Sequence, residues 1–169
     1  MRIKVLSRKE VESGEALGAD GVISIRGSTS RSEPDLTAAL VQATRGEIAR
    51  LLRLSFDDIG LATYRHLVGP TMAQIQEAVE FGRSIVHGQN LFDGPVANPL
   101  VAIHCEHGKS RSSSIGLALL ADHHGAGNEH DAVNALMRVD SLDRMYPNPW
   151  VISLADACLF DMGAVARQS

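Results

Sequence analysis

The sequence predicts an α/β fold of three layers, in which helices cover both faces of a central, mostly parallel sheet of about 4–5 strands. Short apolar runs typical of strands alternate along the chain with segments of helical periodicity, and this alternation is the main reason for the prediction. The chain also lacks an internal repeat, a long linker or a low-complexity tract. Its 169 residues suit one domain, residues 1–169.

The N-terminal segment predicts two strands around a helix. Residues 3–6 form a short apolar run, and the Ser7-x-x-Glu10 pattern after it has the form of a capping box that opens a helix. Gly18 is the expected end of that helix. Residues 21–25 are again apolar and are predicted as the second strand.

The middle of the chain continues the alternation. Asp35 is a candidate cap for a short helix, and apolar residues alternate with polar ones over residues 52–56, as expected for a half-buried strand. Thr71 and Gln74 form a second capping box, and the helix that follows is expected to close at Gly88.

The C-terminal half contains the most apolar strand. Residues 100–103 have the length and composition of a buried central strand, and Cys105 lies just beyond it. Residues 112–122 are predicted as a buried helix. Asn128 is the expected cap of the next helix, and Asn148, followed by proline, is the expected cap of the last one.

Charge and hydropathy exclude several classes of function. With 16 Lys and Arg against 20 Asp and Glu, the net charge is −4, which disfavours nucleic acid or anionic lipid as a partner. The longest nearly unbroken apolar run, residues 115–121, is far shorter than the roughly 20 residues that cross a bilayer. With no signal-peptide pattern, a cytoplasmic protein with no membrane partner is expected. A bound anion must then be captured by a local site.

Two cysteines, Cys105 and Cys158, are too few for a disulfide framework or a zinc knuckle. Cys158 lies on the apolar face of the last predicted helix and is expected in the core. The histidines at 123, 124 and 130 match no strong ligand spacing, so no metal site is predicted.

The segment 104–112 joins the end of a buried strand to the start of a helix. Backbone amides of such a loop and the positive end of the helix dipole can converge on an anion. Cys105 is expected at its base, with a lowered thiol pKa that makes it a nucleophile. Gly108 permits the backbone conformation, and Arg111 can hold two phosphoryl oxygens.

The flanking residues have supporting roles in this interpretation. Ser112 can donate a hydrogen bond to the Cys105 sulfur, and His104 is expected to orient the loop rather than transfer protons. The amides that bind the anion belong to the loop residues: Glu106, His107, Gly108, Lys109 and Ser110.

This segment resembles the His-Cys-x5-Arg-Ser/Thr signature of the cysteine-dependent protein tyrosine and dual-specificity phosphatases. Five fixed residues at about one in twenty each should coincide by chance on the order of once in ten thousand chains of this length. The chain also resembles a group of small bacterial predicted tyrosine phosphatases, in which a strand ends in Phe-x-Asp-Ile, as Phe56 to Ile59 do here. That wider resemblance covers residues 52–160.

The resemblance implies attack of the Cys105 thiolate on a phosphate monoester and hydrolysis of the resulting cysteinyl-phosphate, with no metal or cofactor. It also implies an aspartate as general acid, upstream of the cysteine. The candidates are Asp57, Asp58 and Asp93, because residues 59–90 contain no aspartate. The match to the Asp-Ile pair favours Asp58 over Asp57.

The substrate is less sharply indicated. Lys109 resembles a feature of relatives that act on inositol phosphates, and the His-Cys-x-His-Gly run resembles RNA 5′-triphosphatases. Glu106 and the net acidity oppose a polyanion and favour phosphotyrosine, on a protein, or a small phosphorylated molecule. A phosphate-binding module without turnover is the alternative from another class, whereas sulfur transfer and arsenate reduction fit the flanks of the motif poorly. The sequence does not indicate an oligomeric state.

Overall fold

The computed structural model describes residues 1–88, 97–140 and 142–166, the last six of them as backbone only. Six strands are present in these ranges: β1 (Arg2–Ser7), β2 (Gly21–Arg26), β3 (Leu51–Ser55), β4 (Thr63–Tyr64), β5 (Leu67–Val68) and β6 (Leu100–Cys105). The helices of the same ranges are α1 (Arg8–Glu12), α2 (Pro34–Ala43), α3 (Met72–His87), α4 (Arg111–His124), α5 (Glu129–Val139) and α6 (Pro149–Ala166). None of these helices is long and apolar enough to cross a membrane.

The central sheet consists of four parallel strands in the order β1-β6-β2-β3. The strand β6 is inserted between β1 and β2, with Cys105 paired to Ser7 on one side and His104 paired to Ser24 on the other. Because all four strands run the same way, their carboxyl ends meet at one edge of the sheet. Ligands of open α/β sheets bind at this edge.

Side-chain alternation in the strands divides the core between the two faces of the sheet. In β6, Val101, Ile103 and Cys105 pack on one face, where α3, α4, α5 and α6 contribute to the larger core. Ala102 faces the other side and joins the smaller core built from α1 and α2. Helices therefore cover both faces of the sheet, and the predicted three-layer α/β class is confirmed.

Most of the predicted helix boundaries are confirmed by their caps. Ser7 and Glu10 form the predicted capping box, as do Thr71 and Gln74. Gly88 ends α3 in the left-handed conformation, with φ +60°. Asn148 caps α6, since its Oδ1 accepts hydrogen bonds from the first-turn amides.

Two predicted helix boundaries were wrong. The helix α1 stops at Glu12 and not at Gly18, because Gly14 has already left the helical conformation with φ +92°. The cap residue of α2 is Glu33 and not Asp35, since proline at the next position begins the helix. The small antiparallel pair β4–β5 was not predicted, because two-residue strands carry no periodicity.

Candidate active site

The loop between β6 and α4 lies at the carboxyl edge of the sheet, and two of its carbonyl groups accept hydrogen bonds from neighbouring segments. The Glu106 carbonyl accepts from the Arg8 amide at 3.2 Å, and the Lys109 carbonyl accepts from the Tyr146 amide at 2.9 Å. Within the described chain, the amides of residues 106–111 donate to no backbone carbonyl. Apart from the Lys109 amide, which donates to the Cys105 sulfur, these N–H donors are available to an anion beside the N-terminus of α4.

Gly108 is required by this loop for two physical reasons. Its φ of +68° lies in the left-handed region, which residues with a Cβ rarely adopt. A Cβ at this position would also lie 2.6 Å from the Ser7 nitrogen and 2.7 Å from the Leu6 carbonyl carbon. The loop thus packs directly against the end of β1.

Replacing Gly108 by alanine is expected to abolish anion binding by the loop, because the backbone must move away from β1. Gly125 is a matched control, since its φ is also positive, +80°, but a Cβ there meets nothing within 4 Å. Gly125→Ala should cost roughly 1–3 kcal/mol of unfolding free energy, because its φ of +80° and ψ of +165° suit glycine alone. Calorimetry measures the phosphate affinity of both variants, and urea unfolding measures their stability. Equal phosphate affinity in the two variants would contradict the role of Gly108.

Cys105 lies at the base of the loop, and the residue is only 3% exposed. Its sulfur is 3.2 Å from the Ser112 hydroxyl oxygen. Burial by itself would raise the pKa of the Cys105 thiol, but hydrogen bonds from Ser112 and the Lys109 amide, together with the Arg111 charge, outweigh it. The net effect lowers the pKa of this thiol, so the thiolate persists at lower pH than usual.

Iodoacetamide should therefore modify Cys105 with a pH midpoint below the value of about 8.5 that is ordinary for a thiol. The thiolate is the reacting form, and a lowered pKa moves its appearance to lower pH. Cys158, which is 3% exposed in the core between helices, should react only on unfolding. Mass spectrometry of digests resolves the two sites. A pH midpoint for Cys105 at or above about 8.5 would contradict this assignment, as would modification of Cys158 before Cys105.

Arg111 begins α4 and reaches back to the end of β3. Its Nη1 donates to the Phe56 carbonyl at 3.1 Å, which fixes the guanidinium plane. Its Nε is buried and has no hydrogen-bond partner among the described residues. Arg111 lines the same cavity as Cys105. A buried donor without an acceptor is costly, so a phosphoryl oxygen bound here would satisfy it.

His104 is 2% exposed, and its Nε2 lies 2.8 Å from the Ser24 hydroxyl. Burial is the main reason that the pKa of His104 falls to about 4, and the nearby positive charges of Arg111 and Arg26 lower it further. The ring is therefore neutral at physiological pH. This arrangement fits the predicted role of orienting the strand end beside the thiol.

The structure places the two adjacent aspartates differently. Asp57 is tied to the 27–30 turn and to β5, since its carboxylate accepts from the Ser28 amide at 3.1 Å and from the Val68 amide at 2.8 Å. Burial would raise the pKa of Asp57, but these hydrogen bonds, that from the Ser28 hydroxyl and the Arg111 charge lower it overall. An aspartate stabilised in this way stays ionised and is a poor proton donor.

Asp58 instead lies at the rim of the loop. Its Oδ1 accepts from the Ser110 hydroxyl at 2.7 Å and from the Asn148 amide nitrogen at 2.8 Å. No described residue donates to its Oδ2, which leaves that oxygen available to a ligand. The structure thus brings one of the three candidate acids to the loop. Asp93 lies outside the described residues.

Asn148 is a site residue whose second role was not predicted from the sequence. Besides capping α6, its Nδ2 donates to Asp58 and to the Ile59 carbonyl at 3.1 Å, and its backbone amide donates to Ser114 at 2.6 Å. It is 6% exposed. The sequence signal was the cap itself, because a buried Asn has further donors to satisfy.

The other loop side chains face solvent. Glu106, His107 and Lys109 are exposed, whereas Ser110 is half-buried against Asp58. Across the described ranges, no three or more His, Cys, Asp or Glu side chains are arranged to hold a metal ion. The described site brings together a thiol, a guanidinium, backbone amides and a carboxyl group.

Comparison with protein-family models and with curated proteins gives no match. Solved structures do match over nearly the whole chain. Human DUSP28 superposes with a TM-score of 0.61 at 18% identity, covering 99% of this chain and 95% of that chain. PTPMT1 in complex with PI(5)P gives 0.58 at 17% identity, covering 98% and 94%, and Tk-PTP in its active form gives 0.57 at 14%, covering 95% and 92%. These identities establish the fold alone: the chain has the α/β fold of the dual-specificity and related cysteine phosphatases.

Proposed function

We propose that this protein is a phosphatase that hydrolyses phosphate monoesters, phosphotyrosine or a small phosphorylated molecule, through a cysteinyl-phosphate. The single observation that carries the proposal is the pairing of Cys105 with Arg111. A thiol with a lowered pKa and a guanidinium with a buried, unpartnered Nε line one cavity at the N-terminus of a helix. The shared fold with phosphatases, one of them solved with the phosphoinositide PI(5)P, adds support.

In the first step the Cys105 thiolate attacks phosphorus, a bond from sulfur to phosphorus forms, and the bond to the leaving oxygen breaks. Asp58 gives its proton to that oxygen. Arg111 and the loop amides hold the equatorial oxygens, whose charge is redistributed in the transition state. Ser112 prepares the sulfur for the second step, because its hydroxyl lies 3.2 Å away and stabilises the thiolate as a leaving group.

In the second step water attacks phosphorus, the sulfur–phosphorus bond breaks, and the thiolate is restored. Asp58, now ionised, takes the proton from this water. The cycle needs no redox partner, and its products are an alcohol or phenol and inorganic phosphate.

The proposal is tested by turnover of p-nitrophenyl phosphate in the presence of a chelator, together with acid-quenched mass spectrometry of the Cys105 peptide. Steady release of phosphate and one phosphoryl group on Cys105 are expected. If the protein binds phosphate but releases none from p-nitrophenyl phosphate, it is a phosphate-binding module instead. Turnover without a trapped phosphoryl group on Cys105 would overturn the mechanism.

A further inference from the structure

A second arginine, Arg26, lines the cavity that contains Cys105 and Arg111, and the proposed reaction does not use it. Arg26 is the last residue of β2, the strand adjacent to β6, so it lies at the same sheet edge as Cys105. Its side chain lines the cavity that Cys105 and Arg111 also line. The charges of Arg26 and Arg111 both lower the pKa of His104, which also lines this cavity.

The guanidinium groups of Arg26 and Arg111 make the same kind of hydrogen bond. The terminal Nη2 of Arg26 donates to a backbone carbonyl, that of Arg31, as the Nη1 of Arg111 donates to Phe56. Its Nε, like that of Arg111, is buried without a hydrogen-bond partner. Both arginines line the same cavity, and each keeps one buried N–H donor without an acceptor among the described residues. Anionic oxygens are the acceptors that guanidinium groups bind best.

An ion-pair network holds the Arg26 side chain in place. Glu33 lies between two arginines, with one oxygen 2.7 Å from Arg26 Nη2 and the other 3.0 Å from Arg8 Nη1, and its side chain is 16% exposed. Arg8 is further tied to Glu12 at 2.7 Å. Glu33 therefore offsets part of the Arg26 charge and would compete with an anion for it.

We propose that Arg26 is the binding residue for a second acidic group of the substrate, a carboxylate or a second phosphate, so that the protein prefers small phosphorylated acids or bisphosphates. This inference rests on the proposed function. Because Arg26, Cys105 and Arg111 share one cavity, the second group must lie within a few bonds of the scissile phosphate. A small molecule meets that condition better than a phosphotyrosine side chain, whose phosphate is separated from other acidic groups by the aromatic ring and the peptide.

The test compares kcat/KM for phenyl phosphate, meta-carboxyphenyl phosphate and meta-phenylene bisphosphate. The wild-type protein should prefer the two acidic compounds by roughly tenfold to a hundredfold, the value of one charge-assisted hydrogen bond. Arg26→Gln should abolish that preference, Arg26→Lys should keep part of it, and Glu33→Gln should increase it. Arg53→Gln is the matched control, since Arg53 is exposed on β3 away from this cavity, and it should leave the preference unchanged.

Each outcome separates the inference from the proposed function. Turnover of phenyl phosphate without a preference for the acidic compounds, or a preference that survives in Arg26→Gln, would overturn the role of Arg26 alone. A phosphotyrosine peptide without acidic neighbours that exceeds both acidic compounds in kcat/KM would do the same. Absence of all turnover would refute the proposed phosphatase activity. In that case the affinities of the three compounds for Cys105→Ser, measured by calorimetry, still test Arg26, because the acidic compounds should bind more tightly.

Discussion

The Cys105→Ser variant is expected to lose turnover of p-nitrophenyl phosphate by about 10⁴-fold or more, the scale of loss when a catalytic nucleophile is removed. A serine hydroxyl at this position remains protonated, because the lowered pKa that Ser112, Arg111 and the loop amides confer on a thiol still leaves an alcohol far from ionisation. The anion site itself should survive, since its donors are backbone amides and Arg111. Phosphate affinity should therefore stay within a few-fold of the wild-type value.

Cys158→Ser is the matched control, because Cys158 is equally buried but packs among the helices of the larger core. It should lose stability while keeping its turnover per folded molecule. Turnover by phosphate release and folded fraction by urea unfolding separate the two effects. Activity in Cys105→Ser above about one hundredth of wild type would remove Cys105 as the nucleophile, as would an equal loss of turnover in Cys158→Ser.

The local part of the site was predictable because it is contiguous in sequence. A buried strand, a five-residue loop and a helix fix the positions of Cys105, Gly108 and Arg111 relative to each other, and the chemistry predicted for each residue follows from that loop. The structure adds the reason for Gly108, which is the close approach of the loop to β1. That approach depends on the pairing of β1 with β6, which local patterns do not reveal.

The rest of the site could not be predicted because it is assembled by distant contacts. The interaction between Asp58 and Asn148 spans 90 residues, and the bridge from Arg8 to Glu33 spans 25. No spacing rule connects such residues; only the strand order β1-β6-β2-β3 brings the ends of β1 and β2 to the loop. For the same reason Arg26 had no signal in the sequence beyond its position after an apolar run.

Asp58→Asn is expected to lower kcat for phenyl phosphate by roughly 10²–10³-fold, within the range that general acid catalysis contributes. The loss should be much smaller for p-nitrophenyl phosphate, because its leaving oxygen is stable as an anion and needs little protonation. Asp57→Asn should instead lower thermal stability and affect both substrates equally, because its carboxylate holds Ser28 and Val68.

Asn148 provides a stricter test of the same assignment, because it acts through Asp58. Asn148→Asp keeps an oxygen to cap α6 but removes the donor that lies 2.8 Å from Asp58 Oδ1. It should lower kcat for phenyl phosphate by about tenfold with little change in KM, and it should have no further effect in the Asp58→Asn background. Additive losses would show that Asn148 acts elsewhere. A leaving-group-dependent loss in Asp57→Asn would assign the general acid to Asp57. If neither aspartate variant shows such a loss, the assignment would move to Asp93.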